Sequence, residues 1–363
     1  MASALIISFV EWSGAFQRPQ HLALGLARRG WDVTYLSPGY VHRRAKGVES
    51  GVELPANLRV VEPAALPGGS RLGLVADINA KLMLARARRL SAAPWDVVIF
   101  NDPRWGGLAA RIPARRRILD YMDDLGAQTA DPLRSAGLEA DALAAADRVW
   151  TGTGSLADRL AGRHASVRFI PCGVDAELFA APNPACAADV ERDLPPGGGP
   201  LAGYFGVLNE RFDVTRVEAL LDGGPWRVLL IGPMTTRCAP LPRTDRLKYI
   251  GPRPYVALPS YLARFDLALI PYDTTGPHRF LYPVKALEYL AGGKPVLSTP
   301  LPDIVRFLGR YVELADTAAD WREASSRLAS APVAALEKAR AGQAYAAGRS
   351  WSAMLDEMEI DLK

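Results

Sequence analysis

Residues 282–300, YPVKALEYLAGGKPVLSTP, read as a loop, a helix, a tight stop and a strand. Lys285 and Glu288 are three apart, so on a helix they project from one side of its first turns. Gly292 and Gly293 end that helix, and Lys294-Pro295 opens a strand-like run over 296–299. A cation, a carboxylate and a helix N-terminus in one place suit a phosphorylated, hydroxyl-rich ligand. The helix end and Lys285 favour phosphate, and the Glu288 carboxylate can accept two sugar hydroxyls. The same spacing also describes an ordinary surface ion pair on an α/β helix, and such pairs are common.

Working back from this stretch, the C-terminal half is a series of βα units. Apolar strands at 201–207 (LAGYFGV), 226–231 (WRVLLI), 247–250 and 265–271 (FDLALIP) alternate with helices that start near Asp213 and Leu258. The turn at 208–211 carries Arg211. The turn after 250 carries Gly251, Pro252, Arg253 and, further on, Tyr255. Helices follow at about 321–328, 333–346 and 350–360. The N-terminal half repeats the alternation. ALIISFV at 4–10 is a strand, a loop and a helix over about 19–30 follow, and WDVTYL is the next strand. This βαβ opening implies a parallel sheet. Further strands are expected at 58–62, 95–100 (WDVVIF), 117–121 (RILDY), 147–151 and 167–171, with helices at 71–90, 138–146 and about 155–160. Residues 181–200, rich in Pro, Gly and Ala, read as the linker between an N-terminal domain, 1–180, and a C-terminal domain, 201–345.

In such sheets the loops after the strands carry ligands. Residues 11–18 therefore line the expected site. Gly14 lets backbone approach a ligand and Arg18 points a cation at it, while Trp12 and Phe16 either face the ligand or plug the domain edge. Asp102 follows one strand, and Asp123 and Asp124 follow another, which brings acids to one rim. Such an acid serves as a general base or binds acceptor hydroxyls, though Asp also favours turns for purely local reasons.

Composition bounds the reading. The chain has 363 residues, 49% of them hydrophobic, which suits two domains with a core each. Its three cysteines lie far apart with no CxxC pair, and its four histidines lack metal-ligand spacing. Both observations argue against a metal or disulfide framework. No signal peptide or membrane-spanning run is visible, so a cytoplasmic protein is expected. Residues 1–170 hold 22 Lys+Arg against 16 Asp+Glu, whereas the rest holds 21 against 23. The basic stretch KLMLARARRL suits an anionic membrane surface or a phosphate-bearing acceptor, and equally a solvated helix face.

No G-x-G-x-x-G follows the first strand, no G-x-x-x-x-G-K-[ST] occurs, and no G-x-S-x-G elbow is present. These absences disfavour nicotinamide and flavin enzymes, P-loop NTPases and α/β hydrolases. What remains is an α/β chain of two Rossmann-like, doubly wound domains facing across a cleft. The arrangement suits a nucleotide diphosphate held by the C-terminal half and an acceptor held by the N-terminal half.

The segments WSGAFQRPQHLALGLARRGWDVTYL, LDYMDD, AADRVWTGTGSLADRL, IPCGVDAELF, GYFGVLNERFD and YPVKALEYLAGGKPVLSTPLPDI carry a resemblance over nearly the whole chain. It resembles the GT-B-fold glycosyltransferases. It is similar to the bacterial family 4-like group that includes teichuronic acid and exopolysaccharide glycosyltransferases. The resemblance implies transfer of a hexose from a UDP- or GDP-sugar to a hydroxyl acceptor, a glycan or a lipid-linked one. It implies no metal and no cofactor beyond the donor. It also implies a C-terminal helix over 346–363 returning to the N-terminal domain. By the same resemblance, Glu288 grips the donor ribose, Lys285 and Arg211 stabilise the departing diphosphate, Arg253 and Tyr255 frame the base, and Gly14 approaches donor and acceptor.

One departure stands out. Many family 4 enzymes carry Glu-x7-Glu, and here position 280 is Phe280. A retaining enzyme of this fold works without a protein base, and retention is favoured. An inverting one needs a base, for which Asp102 and Asp124 are the candidates. The alternatives are a nucleotide-sugar epimerase of the same fold, which the scarcity of histidines disfavours, and a non-catalytic nucleotide-sugar or nucleic-acid binder, for which no aromatic-interleaved basic motif speaks.

Overall fold

Apolar runs of four to six residues become strands buried on both faces, as parallel sheets require. The computed structural model describes residues 1–12, 16–37, 52–62, 73–122, 132–275 and 284–362. It divides into unit 1, Met1–Cys172 with Trp351–Lys363, and unit 2, Gly173–Ser350.

The sheet of unit 1 is built from β1 (Ser3–Ile7), β2 (Asp32–Leu36), β3 (Leu58–Val61), β4 (Trp95–Phe100), β5 (Ala114–Tyr121), β6 (Arg148–Thr151) and β7 (Val167–Phe169). Their order is β3-β2-β1-β4-β5-β6-β7, with every pairing parallel. The chain winds outward one way from β1 and then the other way from β4, so the crevice between the ends of β1 and β4 is the switch point. Helices Arg18–Arg28 and Gly73–Arg89 follow β1 and β3. Pro19 lies in the first turn of the Arg18–Arg28 helix, and the Gln20 side chain accepts a hydrogen bond from the Gln17 amide. Leu22, Ala23, Leu26 and Ala27 form its buried face.

The helix Trp351–Leu362 packs in unit 1 against the Arg18–Arg28 helix. The two approach so closely at Gly25 that a Cβ there would overlap Leu355. Met354, Leu355, Met358 and Leu362 are buried, each contributing about 1.5–3 kcal/mol. Asp361 accepts from the Trp150 indole at 2.8 Å and from Arg168 at 2.6 Å. Trp351 stacks on His21 with ring centroids 4.4 Å apart.

Unit 2 repeats the winding with β8 (Leu201–Phe205), β9 (Arg227–Ile231), β10 (Leu247–Tyr249), β11 (Leu267–Ile270), β12 (Val296–Ser298) and β13 (Glu313–Leu314). Their order is β10-β9-β8-β11-β12-β13, again all parallel. The switch point here lies between β8 and β11. Helix Val284–Ala291 joins β11 to β12.

Residues 181–200 are not a free linker. They hold the helix Ala187–Asp193 and lie within unit 2, which begins at Gly173. Asp193 accepts from Arg253 at 2.8 Å and from the Tyr261 hydroxyl at 2.6 Å. Arg227 reaches the Pro195 and Gly199 carbonyls. The Pro/Gly composition signals irregular backbone, but these polar anchors and the buried Val190 fasten it down.

Candidate functional site

Helix Val284–Ala291 meets the switch point of unit 2. Gly206 follows the last residue of β8 and adopts φ +150°. A Cβ there would overlap Lys285 Cε and would sit 2.9 Å from Lys285 Nζ and 2.7 Å from the Tyr204 hydroxyl. The Lys285 ammonium therefore reaches from the Val284–Ala291 helix to the end of β8, and only a glycine leaves it room. The strand end is pinned on two sides. The Phe205 amide donates to the Tyr289 hydroxyl at 3.0 Å, and the Gly206 amide donates to the Ile231 carbonyl at 2.8 Å.

Glu288 lies one turn beyond Lys285 and is 8% exposed. Burial pushes its carboxyl up to about 7, against the pull of Lys285 and of the Tyr255 hydroxyl, while Asp175 adds a further upward push. The Tyr255 hydroxyl faces Glu288, and burial first, then the charges of Glu288 and Asp175, hold its proton well above the usual phenol range. Asp175 accepts from the Leu178 amide at 3.3 Å and so caps the Ala176–Ala180 helix. That helix carries Phe179, whose ring meets Tyr255 edge-on at 5.6 Å and Phe205 at 5.9 Å. Lys285, Glu288, Tyr255 and Asp175 thus form one cluster beside Gly206. It couples a cation to a carboxylate poised between its protonated and ionised forms near neutral pH.

Arg211 stands on the turn after β8. The turn is stitched to the segment after β11 by the Asp213 backbone amide donating to the Pro271 carbonyl at 2.7 Å and the Asp273 backbone amide donating to the Arg211 carbonyl at 2.9 Å. The buried Nε of Arg211 has no hydrogen-bond partner among the described residues. Arg253 is already engaged. Its guanidinium binds Asp193, the Tyr261 hydroxyl and the Ile250 and Pro252 carbonyls. The side chain expected to frame a ligand instead ties the Ala187–Asp193 helix to the loop after β10.

In unit 1 the expectation for Arg18 is overturned. Rather than aiming at a ligand, Arg18 is 3% exposed and grips Asp120 with Nε at 2.9 Å and Nη2 at 2.7 Å. Its Nη1 donates to the Ile170 and Pro171 carbonyls at 2.8 and 3.0 Å. A buried guanidinium needs such a balance of charge and acceptors. Asn101, next to the end of β4, donates to Asp120 at 2.8 Å. Asp102 lies at the same strand end, but Arg104 engages both of its carboxylate oxygens. Trp12 is half-buried, its ring edge-on to Tyr35 at 4.9 Å and to Phe16 at 6.3 Å, and its amide donates to the Ser37 hydroxyl. Gly14, Asp123 and Asp124 lie outside the described residues.

Sequence reasoning missed Asp175, Gly206 and Tyr204. Asp175 belongs to the IPCGVDAELF segment, and Gly206 immediately follows an apolar strand, which is where a close backbone approach is sought. Among the described residues no group of three or more His, Cys, Asp or Glu side chains is placed to hold a metal ion. No described helix is long and apolar enough to cross a membrane.

Residues 12–178 match the family model described as Glycosyltransferase Family 4. The putative teichuronic acid biosynthesis glycosyltransferase TuaH of Bacillus subtilis (strain 168) is 30% identical over 158 residues, 42% of this chain and 38% of that protein. The match to this curated relative thus spans about two-fifths of its length. Among solved structures, sucrose-phosphate synthase (tll1590) from Thermosynechococcus elongatus is similar at 16% identity and TM-score 0.76, over 99% of this chain and 98% of that one. Anabaena Alr3699/HepE, solved in complex with UDP and glucose, is similar at 15% identity and TM-score 0.77, with the same coverage. These likenesses show the fold: two Rossmann-like domains of the GT-B glycosyltransferase type.

Proposed function

We propose that this chain is a glycosyltransferase that moves a sugar from a nucleoside-diphosphate sugar to a hydroxyl acceptor in glycan or glycoconjugate biosynthesis. The observation that carries the reading is the convergence of Lys285 on Gly206 with Glu288 one helical turn away. Lys285 and Arg211 meet the diphosphate, and the Glu288 carboxylate accepts the ribose hydroxyls. Tyr255 holds Glu288 in place. The similarity to a putative teichuronic acid biosynthesis glycosyltransferase and the UDP bound by Alr3699/HepE support a nucleoside-diphosphate-sugar donor, with UDP the first nucleotide to test.

In the transfer, the bond between the anomeric carbon and the diphosphate oxygen breaks and its electron pair stays with the diphosphate. The acceptor hydroxyl oxygen bonds to the anomeric carbon and its proton passes to the departing phosphate. Negative charge grows on that phosphate, where the cations stabilise it most. Arg104's hold on Asp102 favours this retaining course over one that uses Asp102 as base. Trp12 and Asp123 are the acceptor-side candidates, and Asp124 is the base candidate that an inverting course would need. The exposed Arg86, Arg88 and Arg89 on the Gly73–Arg89 helix support peripheral contact with an anionic membrane on the cytoplasmic side.

A thermal-shift panel of UDP, GDP, ADP and their sugars tests the reading. One base family is expected to stabilise the protein, and Glu288→Ala is expected to abolish turnover of the matching sugar nucleotide. Wild-type turnover in Glu288→Ala would overturn the site assignment, and anomer analysis of the product by NMR decides retention.

A further inference from the structure

The end of β8 carries a hydrogen-bond chain that the donor assignment leaves unused. The Tyr204 hydroxyl donates to the Val207 carbonyl at 3.0 Å. A phenol has one proton, so the 3.2 Å contact between the Tyr272 and Tyr204 hydroxyls runs from Tyr272 to Tyr204. Tyr204 is fully buried and Tyr272 is 7% exposed. Burial holds the Tyr204 proton far above the usual phenol range, so the donor in this chain is permanent.

The backbone around the chain is committed on both sides. The Phe205 amide goes to Tyr289, the Gly206 amide to the Ile231 carbonyl, and the Leu208 amide to the Pro233 carbonyl at 2.9 Å. The Gly206 carbonyl abuts Gly232, where a Cβ would overlap it. Between these fixed groups the Val207 amide is paired to no described residue. It is one residue from Gly206, where a single Cβ would meet both Lys285 Nζ at 2.9 Å and the Tyr204 hydroxyl at 2.7 Å, so both groups lie on that side of the glycine.

We propose that Tyr272 and Tyr204 are positioning residues that hold the Gly206–Leu208 backbone so that the Val207 amide and the Lys285 ammonium together receive the distal phosphate of the donor. The inference rests on the donor reading given above and deepens it. A backbone N–H clamped by fixed partners presents its dipole to developing phosphate charge without reorganising, which is the condition for strong transition-state stabilisation. Tyr272 and Tyr204 touch no substrate. They act through the Val207 carbonyl, which shares its peptide plane with the Leu208 amide and is one Cα away from the plane that holds the Val207 amide and the Gly206 carbonyl.

The test is isothermal titration of the wild type, Tyr272→Phe, Tyr204→Phe and the double variant with UDP, GDP and ADP, each beside its nucleoside monophosphate. Each variant is also unfolded in urea. Tyr272→Phe is expected to lose about tenfold in affinity for the diphosphate that binds the wild type, with monophosphate affinity unchanged. Tyr204→Phe is expected to lose at least as much, and the double variant no more than Tyr204→Phe alone, because the two hydroxyls act in series. A packing role would lower the urea midpoint and leave the preference for diphosphate over monophosphate untouched. That result, or a parallel loss for both nucleotides, overturns the proposal. Should Tyr204→Phe fail to fold, Tyr272→Phe alone still decides. If the wild type binds no nucleoside diphosphate, the donor reading itself falls and this inference with it.

Discussion

Replacing Glu288 by Gln should make the ligand-free protein more stable, and only above acidic pH. The Glu288 carboxyl titrates near 4.5 when unfolded and at about 7 when folded. Because its folded value is raised, the folded state binds more protons than the unfolded one between those limits. Stability from this group is fully present below about pH 4.5 and is lost as the pH rises through about 7. Moving the carboxyl over that interval corresponds to about 3 kcal/mol at 1.36 kcal/mol per tenfold change. The group is 8% exposed, so solvent screening takes little from the figure. Gln has the same shape and no charge to ionise. Urea unfolding of wild type and Glu288→Gln from pH 4.5 to 8.5 isolates the effect, because every other titration cancels in the difference. The expected gap is near zero at pH 4.5 and grows to as much as about 3 kcal/mol in favour of Glu288→Gln by pH 8. The cost to the wild type is that of keeping an acceptor for sugar hydroxyls out of water, so a bound nucleotide should narrow the gap. Two parallel stability curves would show that Glu288 is not desolvated in the empty protein and would refute the reasoning.

Three further outcomes are expected. Gly206→Ala places a Cβ against Lys285 Cε at φ +150°; it should cost about 1–3 kcal/mol in urea unfolding and at least about tenfold in diphosphate affinity, and wild-type affinity would show that Lys285 does not approach the strand end. Asp120→Asn leaves the buried Arg18 guanidinium without its counter-charge and should destabilise by about 3–5 kcal/mol; a loss below about 1 kcal/mol would mean the pair is not buried. Leu355→Ala removes the side chain packed over Gly25 and should cost about 2–5 kcal/mol, with an unchanged urea midpoint counting against the docking of the Trp351–Leu362 helix.

The alternation of apolar runs with helical spacing was legible because parallel sheets bury strands on both faces, so WDVVIF and LAGYF announce themselves without context. Lys285 and Glu288 were legible because three-residue spacing fixes a shared helix side wherever the helix lies. Arg18 was misread for the opposite reason. Its partner Asp120 stands 102 residues away, and nothing local distinguishes a guanidinium aimed at a ligand from one neutralised by a distant carboxylate. The same blindness hid Arg253, whose acid lies in a segment that composition made look like loose linker. Tyr204 and Asp175 escaped notice because their roles arise from what neighbouring chain segments bring to them, and no spacing rule encodes that.

The Trp351–Leu362 helix gives the protein's synthesis an order. Unit 1 is translated first, yet the surface over Gly25 and the Trp150 indole stay uncovered until the ribosome has delivered the whole of unit 2. A nascent chain halted within unit 2 would present that apolar surface to chaperones and proteases. Maturation of the first Rossmann-like half is thereby made conditional on completion of the second.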